Sequence, residues 1–137
     1  PIYNYKIFHL EINKRQSALI VFRVININNN IIIRIIDFEG DETLIAYMGK
    51  FALDLLVEEK AEYLDFMQYG IQKKYFIEAG FSLLNNTQDV IIPNYFEPLI
   101  KKNIPLLFSH NSYKKTNFRL FKGDGDQDRP NQVNKNA

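Results

Sequence analysis

The most constraining feature of this sequence is a nearly unbroken run of β-branched residues, Ile31-Ile32-Ile33-Arg34-Ile35-Ile36. Such side chains favour strands, and an apolar run without alternation is typical of a strand covered on both faces. Two earlier stretches, Tyr5–Ile12 and Ala18–Ile27, are also of strand type, and each is followed by a polar turn. The sequence therefore predicts three antiparallel strands, the third of them buried.

The spacing of apolar residues changes after the third strand. Across Thr43–Lys60 it becomes that of an amphipathic helix. The apolar stripe consists of Leu44, Met48, Phe51, Leu55 and Leu56. Next, Ala61–Met67 is predicted as a strand and Ile71–Ala79 as a short helix, which ends at Gly80 because glycine readily adopts the left-handed conformation after a helix.

The last third of the chain contains shorter apolar runs. Val90–Ile92, Leu106–Phe108 and Phe118–Phe121 are predicted as strands, whereas residues 123–137 form a polar tail with almost no apolar side chains. The element order is β-β-β-α-β-α-β-β, with one further strand as an option. It predicts an α+β fold, with two helices and a mixed, mainly antiparallel sheet, in a single domain over residues 1–122.

Composition excludes several classes of function. Seventeen Lys and Arg against 16 Asp and Glu leave a net charge of +1, which does not favour a nucleic-acid partner. Without cysteine there is no disulfide, thiolate metal site or cysteine nucleophile. No apolar run approaches the ~20 residues of a membrane span, and with no signal peptide we expect a cytoplasmic protein. Because the chain opens with Pro1 instead of Met, we expect a processed product or a piece of a longer protein.

A family resemblance enters with Phe76-Ile77-Glu78-Ala79-Gly80-Phe81. This stretch resembles the aromatic-x-x-small-Gly-Phe ending of the second core helix in GNAT-type acyl-CoA N-acyltransferases. The element order is also similar to that family from its second strand onward, over roughly the first two thirds of the chain. The resemblance implies that Ile31–Ile36 and Ala61–Met67 splay apart around a nucleotide thioester, and that the family's first strand and two helices are missing here.

The resemblance also implies where a cofactor binds. In the family, backbone N–H groups at the start of the long helix hold the pyrophosphate of acetyl-CoA or another acyl-CoA, since that end of a helix attracts anions. The corresponding residues here are Phe38, Gly40, Asp41 and Thr43.

Catalytic candidates follow from the same arrangement. Asp37 and Asp65 stand at or near the ends of strands that become neighbours in this fold, so they form the best acid pair for a cleft. Helix capping by Asp37 and simple solvation remain the alternatives. In the family, a Tyr returns a proton to the departing thiolate. Phe76 occupies that spacing here, and Tyr75 is the adjacent hydroxyl, about 100° away around the helix.

A second resemblance points to a pathway. The ending Phe121-Lys122-Gly123-Asp124-Gly125-Asp126-Gln127-Asp128-Arg129-Pro130-Asn131, together with the segment 93–98, resembles uncharacterised bacterial proteins of surface-polysaccharide biosynthesis, such as O-antigen or capsule. It implies a sugar or sugar-nucleotide substrate.

The hypothesis is an acyltransferase, or a fragment of one, that modifies an amino sugar. The alternatives are a non-catalytic GNAT-like module that binds a glycan precursor or partner protein, favoured by the four acids of loop 37–42, and a small domain that dimerises through a strand edge.

Two other constellations have simpler interpretations. His9 and Glu11 share one face of the first strand and are able to act as base and orienting acid, although a polar exposed face explains them better. Asp124, Asp126 and Asp128 alternate like the start of a Ca²⁺ loop, but the glycine and closing glutamate are missing, so we predict no metal site.

Overall fold

The computed structural model of the chain describes residues 4–12, 14–27, 29–84, 90–93, 101–111 and 118–125. Within them the fold is mixed α+β, with a mainly antiparallel sheet of four strands and two α-helices. The predicted fold class is confirmed at that level.

Three long strands make the antiparallel part of the sheet. They are β1 (Tyr5–Ile12), β2 (Gln16–Ile27) and β3 (Asn30–Gly40), each paired with the next. The turns between them use left-handed residues, with φ of 56° at Lys14 and 68° at Asn29. Asn tolerates this conformation better than most residues, so the second turn matches its sequence. The three predicted strands are confirmed.

A helical crossover then brings the chain back to β3. It begins as a 3₁₀ helix, Glu42–Tyr47, and continues as α1 (Met48–Glu59). β4 (Tyr63–Phe66) pairs parallel to β3 and gives the sheet order β1-β2-β3-β4. The single helix predicted over Thr43–Lys60 is therefore divided, as is common at helix N-termini, and the strand predicted over Ala61–Met67 is shorter.

A second, two-stranded sheet follows. β5 (Gln68–Tyr69) pairs antiparallel with β6 (Leu120–Phe121), and α2 (Lys73–Glu78) lies between them in the chain. The helix predicted over Ile71–Ala79 and the strand predicted over Phe118–Phe121 are both present in shortened form. Of the helices in the described ranges, none has the length and apolar character needed to cross a membrane.

Two predicted strands are wrong. In the described part of the chain, Val90–Ile92 and Leu106–Phe108 belong to no strand or sheet. Instead, the side chain of Asn103 bonds the first segment: the N–H of Ile92 donates to its Oδ1 (2.9 Å), and its Nδ2 donates to the carbonyl of Val90 (2.7 Å). A side-chain amide thus replaces the backbone of a neighbouring strand.

The core lies between the four-stranded sheet and the two helices. The predicted apolar stripe of the crossover faces it, with Leu44, Met48 and Leu55 at most 5% exposed. Aromatic rings hold the edge strand against α1, since Phe8 lies 5.3 Å from both Phe22 and Phe51 between ring centroids. The core is completed by Ala18, Ile20, Ile33, Ile35, Phe38, Ile45, Ile71, Phe76 and Phe121.

A β-bulge changes the direction of side chains within β3. Val21 is opposite Asp37 and Phe22 is opposite Ile35, so Ile36 is an extra residue of β3 without a partner in β2. Because successive side chains point to opposite faces, the extra residue reverses the orientation of everything after it. Asp37 therefore lies with Val21 on the face away from the helices, whereas without the bulge it would point into the core.

Candidate functional site

The candidate site is built around an opening between β3 and β4. The two parallel strands pair from Ile32 and Tyr63 as far as Ile35 and Phe66. Beyond that point β3 continues along β2 to Gly40, while the other chain segment leaves to form β5. The separation lies where the sequence analysis expects a slot for a nucleotide thioester.

Residues 118–125, here called the wedge segment, lie in this opening. The ring of Phe121 is 5% exposed, and its centroid is 6.1 Å from that of Phe66 on β4. On the other side, Gly123 approaches β3 so closely that an added Cβ would lie 3.2 Å from the carbonyl oxygen of Ile36. The wedge segment thus contacts both strands that border the opening.

Arg119 attaches the wedge segment to the end of β3. Its Nη1 donates to the carbonyl of Gly40 (3.1 Å), and its Nη2 donates to Oε2 of Glu42 (2.9 Å). Both side chains of this ion pair are largely buried, at 23% and 19% exposed. Partial burial makes such a pair less screened than one on the surface.

The helix start expected to bind pyrophosphate is capped by the chain itself. Oδ1 of Asp41 accepts from both the N–H (3.0 Å) and the hydroxyl of Thr43 (2.7 Å), and Oδ2 accepts from Gln16 (2.9 Å). The bonds from the hydroxyl and N–H of Thr43 lower the pKa of Asp41. The N–H groups of Asp41 and Leu44 donate to the carbonyls of Ser17 and Asp41, each at 3.1 Å. These amides, as arranged, do not fit a pyrophosphate.

Gly40 and Phe38 have structural explanations. Gly40 has a φ of +123°, and an added Cβ would lie 2.5 Å from the carbonyl oxygen of Ser17, so only glycine fits against β2. The Phe38 ring is fully buried, and its N–H donates to Oδ1 of Asp37 (2.8 Å). Both residues therefore serve the packing and pairing of β3.

Asp65 is neutralised by an arginine. Nε of Arg34 donates to both carboxylate oxygens (3.1 and 3.0 Å), and Nη2 donates to Oδ2 (2.7 Å) and to the carbonyl of Pro93. The Arg34 side chain is 1% exposed and that of Asp65 12%. Asp65 also borders a mainly apolar cavity of about 220 Å³ between β4 and residues 81–84. A carboxylate held by a buried guanidinium forms a structural ion pair, so a structural role explains Asp65 better than a catalytic one.

Asp37 lies in a different cavity from Asp65. It faces an open cleft of about 500 Å³, whose other walls include Tyr5, Val21 and the wedge residues Gly123 and Asp124. Burial raises the pKa of the Asp37 carboxyl, the N–H of Phe38 opposes this shift, and the charges of Asp124 and Glu39 add to it. The two acids expected to share one cleft are therefore separated: Asp37 faces the larger, open cleft, and Asp65 borders the apolar cavity.

Tyr75 lines neither of these two cavities. It is half-buried against the core, and the ammonium of Lys74 lies 4.8 Å from its ring centroid. The structure gives Tyr75 a packing role, and this side chain does not line the cleft that Asp37 faces.

The Gly-Phe pair that suggested a family has a local explanation. Gly80, with φ of +85°, donates its N–H to the carbonyl of Ile77 (3.0 Å), and Phe81 donates to that of Phe76 (2.9 Å). These two bonds form a Schellman motif, and the accompanying contact of Phe76 with Phe81 has ring centroids 5.9 Å apart. The motif is therefore a helix stop in this chain.

The remaining candidates are peripheral. Nδ1 of His9 is 3.8 Å from Oε2 of Glu11, and both side chains are about half exposed, which agrees with a polar strand face. Asp126 and Asp128 lie outside the described residues. Across the residues that the structure does describe, no group of three His, Asp or Glu side chains is arranged to hold a metal ion.

Sequence reasoning missed the role of Arg119. Arg119 stands in a short apolar run, and its two partners, Gly40 and Glu42, are 79 and 77 residues away in the chain. No local sequence pattern therefore indicates its role. Arg34, which interrupts the apolar run of β3, is buried and paired with Asp65.

Comparison with known proteins finds no relative of this chain: no family model matches, and neither curated proteins nor solved structures give a match.

Proposed function

We propose that this chain is a GNAT-like acyltransferase, or part of one, that transfers an acyl group from acyl-CoA to an amino sugar in bacterial envelope polysaccharide biosynthesis. The observation that carries the proposal is Asp37: a carboxylate with a raised pKa, turned by a bulge into an open cleft beside the point where β3 and β4 separate. The order of elements and the parallel pair β3–β4 are compatible with this lineage.

The chemistry assigned to Asp37 is proton removal. An amino sugar is an ammonium ion at neutral pH and becomes a nucleophile only after it loses a proton. The proton passes from the sugar nitrogen to a carboxylate oxygen of Asp37, leaving a neutral amine and a neutral carboxyl group. A raised pKa makes the carboxylate a stronger base, and the neighbouring charge of Asp124 favours a cationic ligand in the same cleft.

The acyl donor has no assigned site. The amides of Asp41 and Thr43 are bonded within the chain, so the residues expected to hold the pyrophosphate do not fit it as arranged. The proposal therefore derives no step on the thioester and concerns the amine side alone.

The test is a thiol-release assay with acetyl-CoA and glucosamine. Loss of a general base costs about 10²–10⁴-fold in rate, so Asp37→Asn should lose at least about 100-fold while remaining folded. Asp54→Asn is the matched control, because Asp54 lies on the exposed side of α1 and pairs only with Lys50 among the contacts described. Equal rates for wild type and Asp37→Asn, or no transfer to any amino sugar tested, would reject the proposal.

A non-catalytic module that binds a glycan precursor is the second candidate. The observation that favours it is the wedge segment, whose buried Phe121 and paired Arg119 occupy the opening expected for the thioester. Calorimetry separates the two functions. Binding of glucosamine without binding of acetyl-CoA at millimolar concentration supports the second candidate, whereas saturable transfer that needs Asp37 rejects it.

A further inference from the structure

Four aromatic side chains, three of them exposed and Phe118 half-buried, form a cluster beside β5. Tyr69 and Phe108 have ring centroids 4.8 Å apart, and His110 stacks on Phe118 at 4.4 Å. Tyr69 is 48% and Phe108 43% exposed, and His110 is also exposed. None of the four belongs to the core or lines either cavity described above.

The rings of this aromatic cluster make a corner. Phe108, His110 and Phe118 are close to parallel, with interplanar angles of 17° to 29°. Tyr69 stands across them, at 66° to Phe108 and 54° to Phe118. Mutual ring contacts hold these side chains in place, so the corner exists before any ligand arrives.

The exposed ring surface of this cluster is a candidate binding site. Burying apolar area is favourable, and contiguous exposed apolar patches on proteins commonly mark binding sites. The cluster also has polar groups at its rim, namely the hydroxyl of Tyr69 and the imidazole of His110, with the exposed residues Ser109 and Asn111 next to it in the chain. Apolar ring faces with hydrogen-bonding groups at the edge define the chemistry that fits.

We infer that the aromatic cluster binds a neutral pyranose ring of a glycan. A pyranose has an apolar face of C–H groups that packs on aromatic rings, and a rim of hydroxyl groups that needs donors and acceptors. Its thick, puckered ring matches a corner of tilted rings better than a flat base does. The choice of a sugar rests on the proposed function, in which the substrate is a sugar.

The wedge segment links the cluster to the Asp37 cleft. It carries Phe118 at the cluster and Asp124 at the cleft, with five residues between them. Six residue steps span at most about 22 Å, so the two sites are close enough to serve one glycan precursor. The cluster holds a neutral sugar ring, and the cleft receives the amine.

An NMR titration with methyl N-acetyl-β-glucosaminide tests this inference. The probe is neutral and needs neither acyl-CoA nor the carboxylate of Asp37. We expect saturable shifts of the Tyr69 and Phe118 ring signals at millimolar sugar. Stacking on one aromatic ring is worth about 1–3 kcal/mol for nucleobases, so Phe108→Ala should weaken binding at least about fivefold. Tyr47→Ala, which removes a ring that is 70% exposed on the 3₁₀ helix, should leave it unchanged.

The outcomes distinguish this inference from the proposed function. It is overturned if the sugar gives no saturable shifts, if Phe108→Ala and a second variant, His110→Ala, bind as wild type, or if adenosine binds at the cluster and the sugar does not. Sugar binding that persists in Asp37→Asn supports the inference. If acyl transfer is absent while this binding is present, the proposed function fails alone. If transfer is present without it, the inference fails alone.

Discussion

Tyr63 carries a buried hydroxyl for which the described residues provide no hydrogen-bond partner. Burial, reinforced by the charge of Asp65, raises the pKa of this phenol to about 12. A buried polar group without a partner costs about 1–3 kcal/mol. We expect Tyr63→Phe to increase the free energy of unfolding by about 1 kcal/mol in urea denaturation. The gain should be the same at pH 6 and pH 9, since the phenol stays protonated at both.

The matched control for Tyr63 is Tyr47→Phe, at a side chain 70% exposed, which should not change stability. A loss of stability in Tyr63→Phe would mean that the hydroxyl makes a bond that this geometry does not contain.

Asp37 should make stability depend on pH. Burial raises the pKa of its carboxyl in the folded state above the usual 3.8, so the folded protein binds this proton more tightly than the unfolded chain. Stability contributed by this group is therefore lost as pH rises from 3.8 through the raised pKa. Asp37→Asn removes that loss. At pH 7 the variant should be more stable than wild type, by less than about 1 kcal/mol because the group is partly solvated.

Thermal denaturation from pH 3 to pH 8 measures this effect. The advantage of Asp37→Asn should shrink below pH 4, where the carboxyl of the wild type is protonated in both the folded and the unfolded state. A variant that is less stable than wild type at pH 7 contradicts the assignment.

At the scale of single residues, the sequence gives the type of a candidate side chain but not the face of the sheet to which that side chain points. It identifies Asp37 as an acid near a strand end, but the cleft that Asp37 faces depends on the bulge at Ile36, which no residue pattern announces. Similarly, Asp65 lies on the strand next to β3 as expected, but its carboxylate is paired with Arg34, which stands 31 residues earlier in the chain. The partner of a carboxylate on one strand follows only when the register between that strand and its neighbour is known.

Both α-helices end in the same hydrogen-bond pattern with different residues. After α2, the left-handed position is Gly80, with φ of +85°. After α1, it is Lys60 with φ of 54°, where the N–H groups of Lys60 and Ala61 donate to the carbonyls of Val57 and Leu56. A side chain in this conformation costs about 1 kcal/mol, which glycine avoids.

Substitutions at the left-handed positions of these two helix ends should have opposite effects on stability. Lys60→Gly should stabilise the protein by about 0.5–1 kcal/mol, because relief of strain exceeds the added freedom of the unfolded chain. Gly80→Ala should destabilise it by about 1 kcal/mol through backbone strain alone, since an added Cβ there meets nothing within 4 Å. Urea denaturation of both variants checks the pair. If both changes have the same sign, the backbone conformation does not control these ends.

Elements with a strong period are predictable here, and short apolar runs are not. The strands β1 to β3 and the stripe of the crossover helix follow from spacing, because many residues contribute to each pattern. Val90–Ile92 has the composition of a strand, but a single side chain, Asn103, supplies its hydrogen bonds. No count of apolar residues anticipates a partner of that kind.

On the scale of the whole molecule, the wedge segment joins the two sheets. β6 belongs to the small sheet with β5, while Arg119 and Gly123 contact the end and middle of β3. Gly70 allows the close approach, since a Cβ there would lie 2.0 Å from the carbonyl oxygen of Phe118. The order of elements follows from the sequence, but the closure of the opening does not, because it depends on contacts between residues 77 and 79 positions apart.

This arrangement predicts two levels of stability. β2 and β3 share the longest ladder and the apolar core, so their amides should open only with global unfolding. The wedge segment is held by the short β5–β6 pairing, the buried side chains of Phe121 and Lys122, and the Arg119–Glu42 pair, and it should open at lower free energy. Removing the pair with Arg119→Ala should therefore affect one part of the molecule only.

Native-state hydrogen exchange measures this directly. In Arg119→Ala we expect the amides of Leu120 and Phe121 to exchange at least about tenfold faster, since a partly buried, charge-assisted pair contributes about 1.5–3 kcal/mol. The amide of Ile33, in the centre of β3, should keep its rate. Lys50→Ala, which breaks an exposed pair with Asp54, should change neither. A uniform acceleration over both sheets would mean that the molecule opens as one unit and that the wedge segment is an integral part of its core. Selective acceleration means that the opening between β3 and β4 becomes accessible while the rest of the fold stays intact.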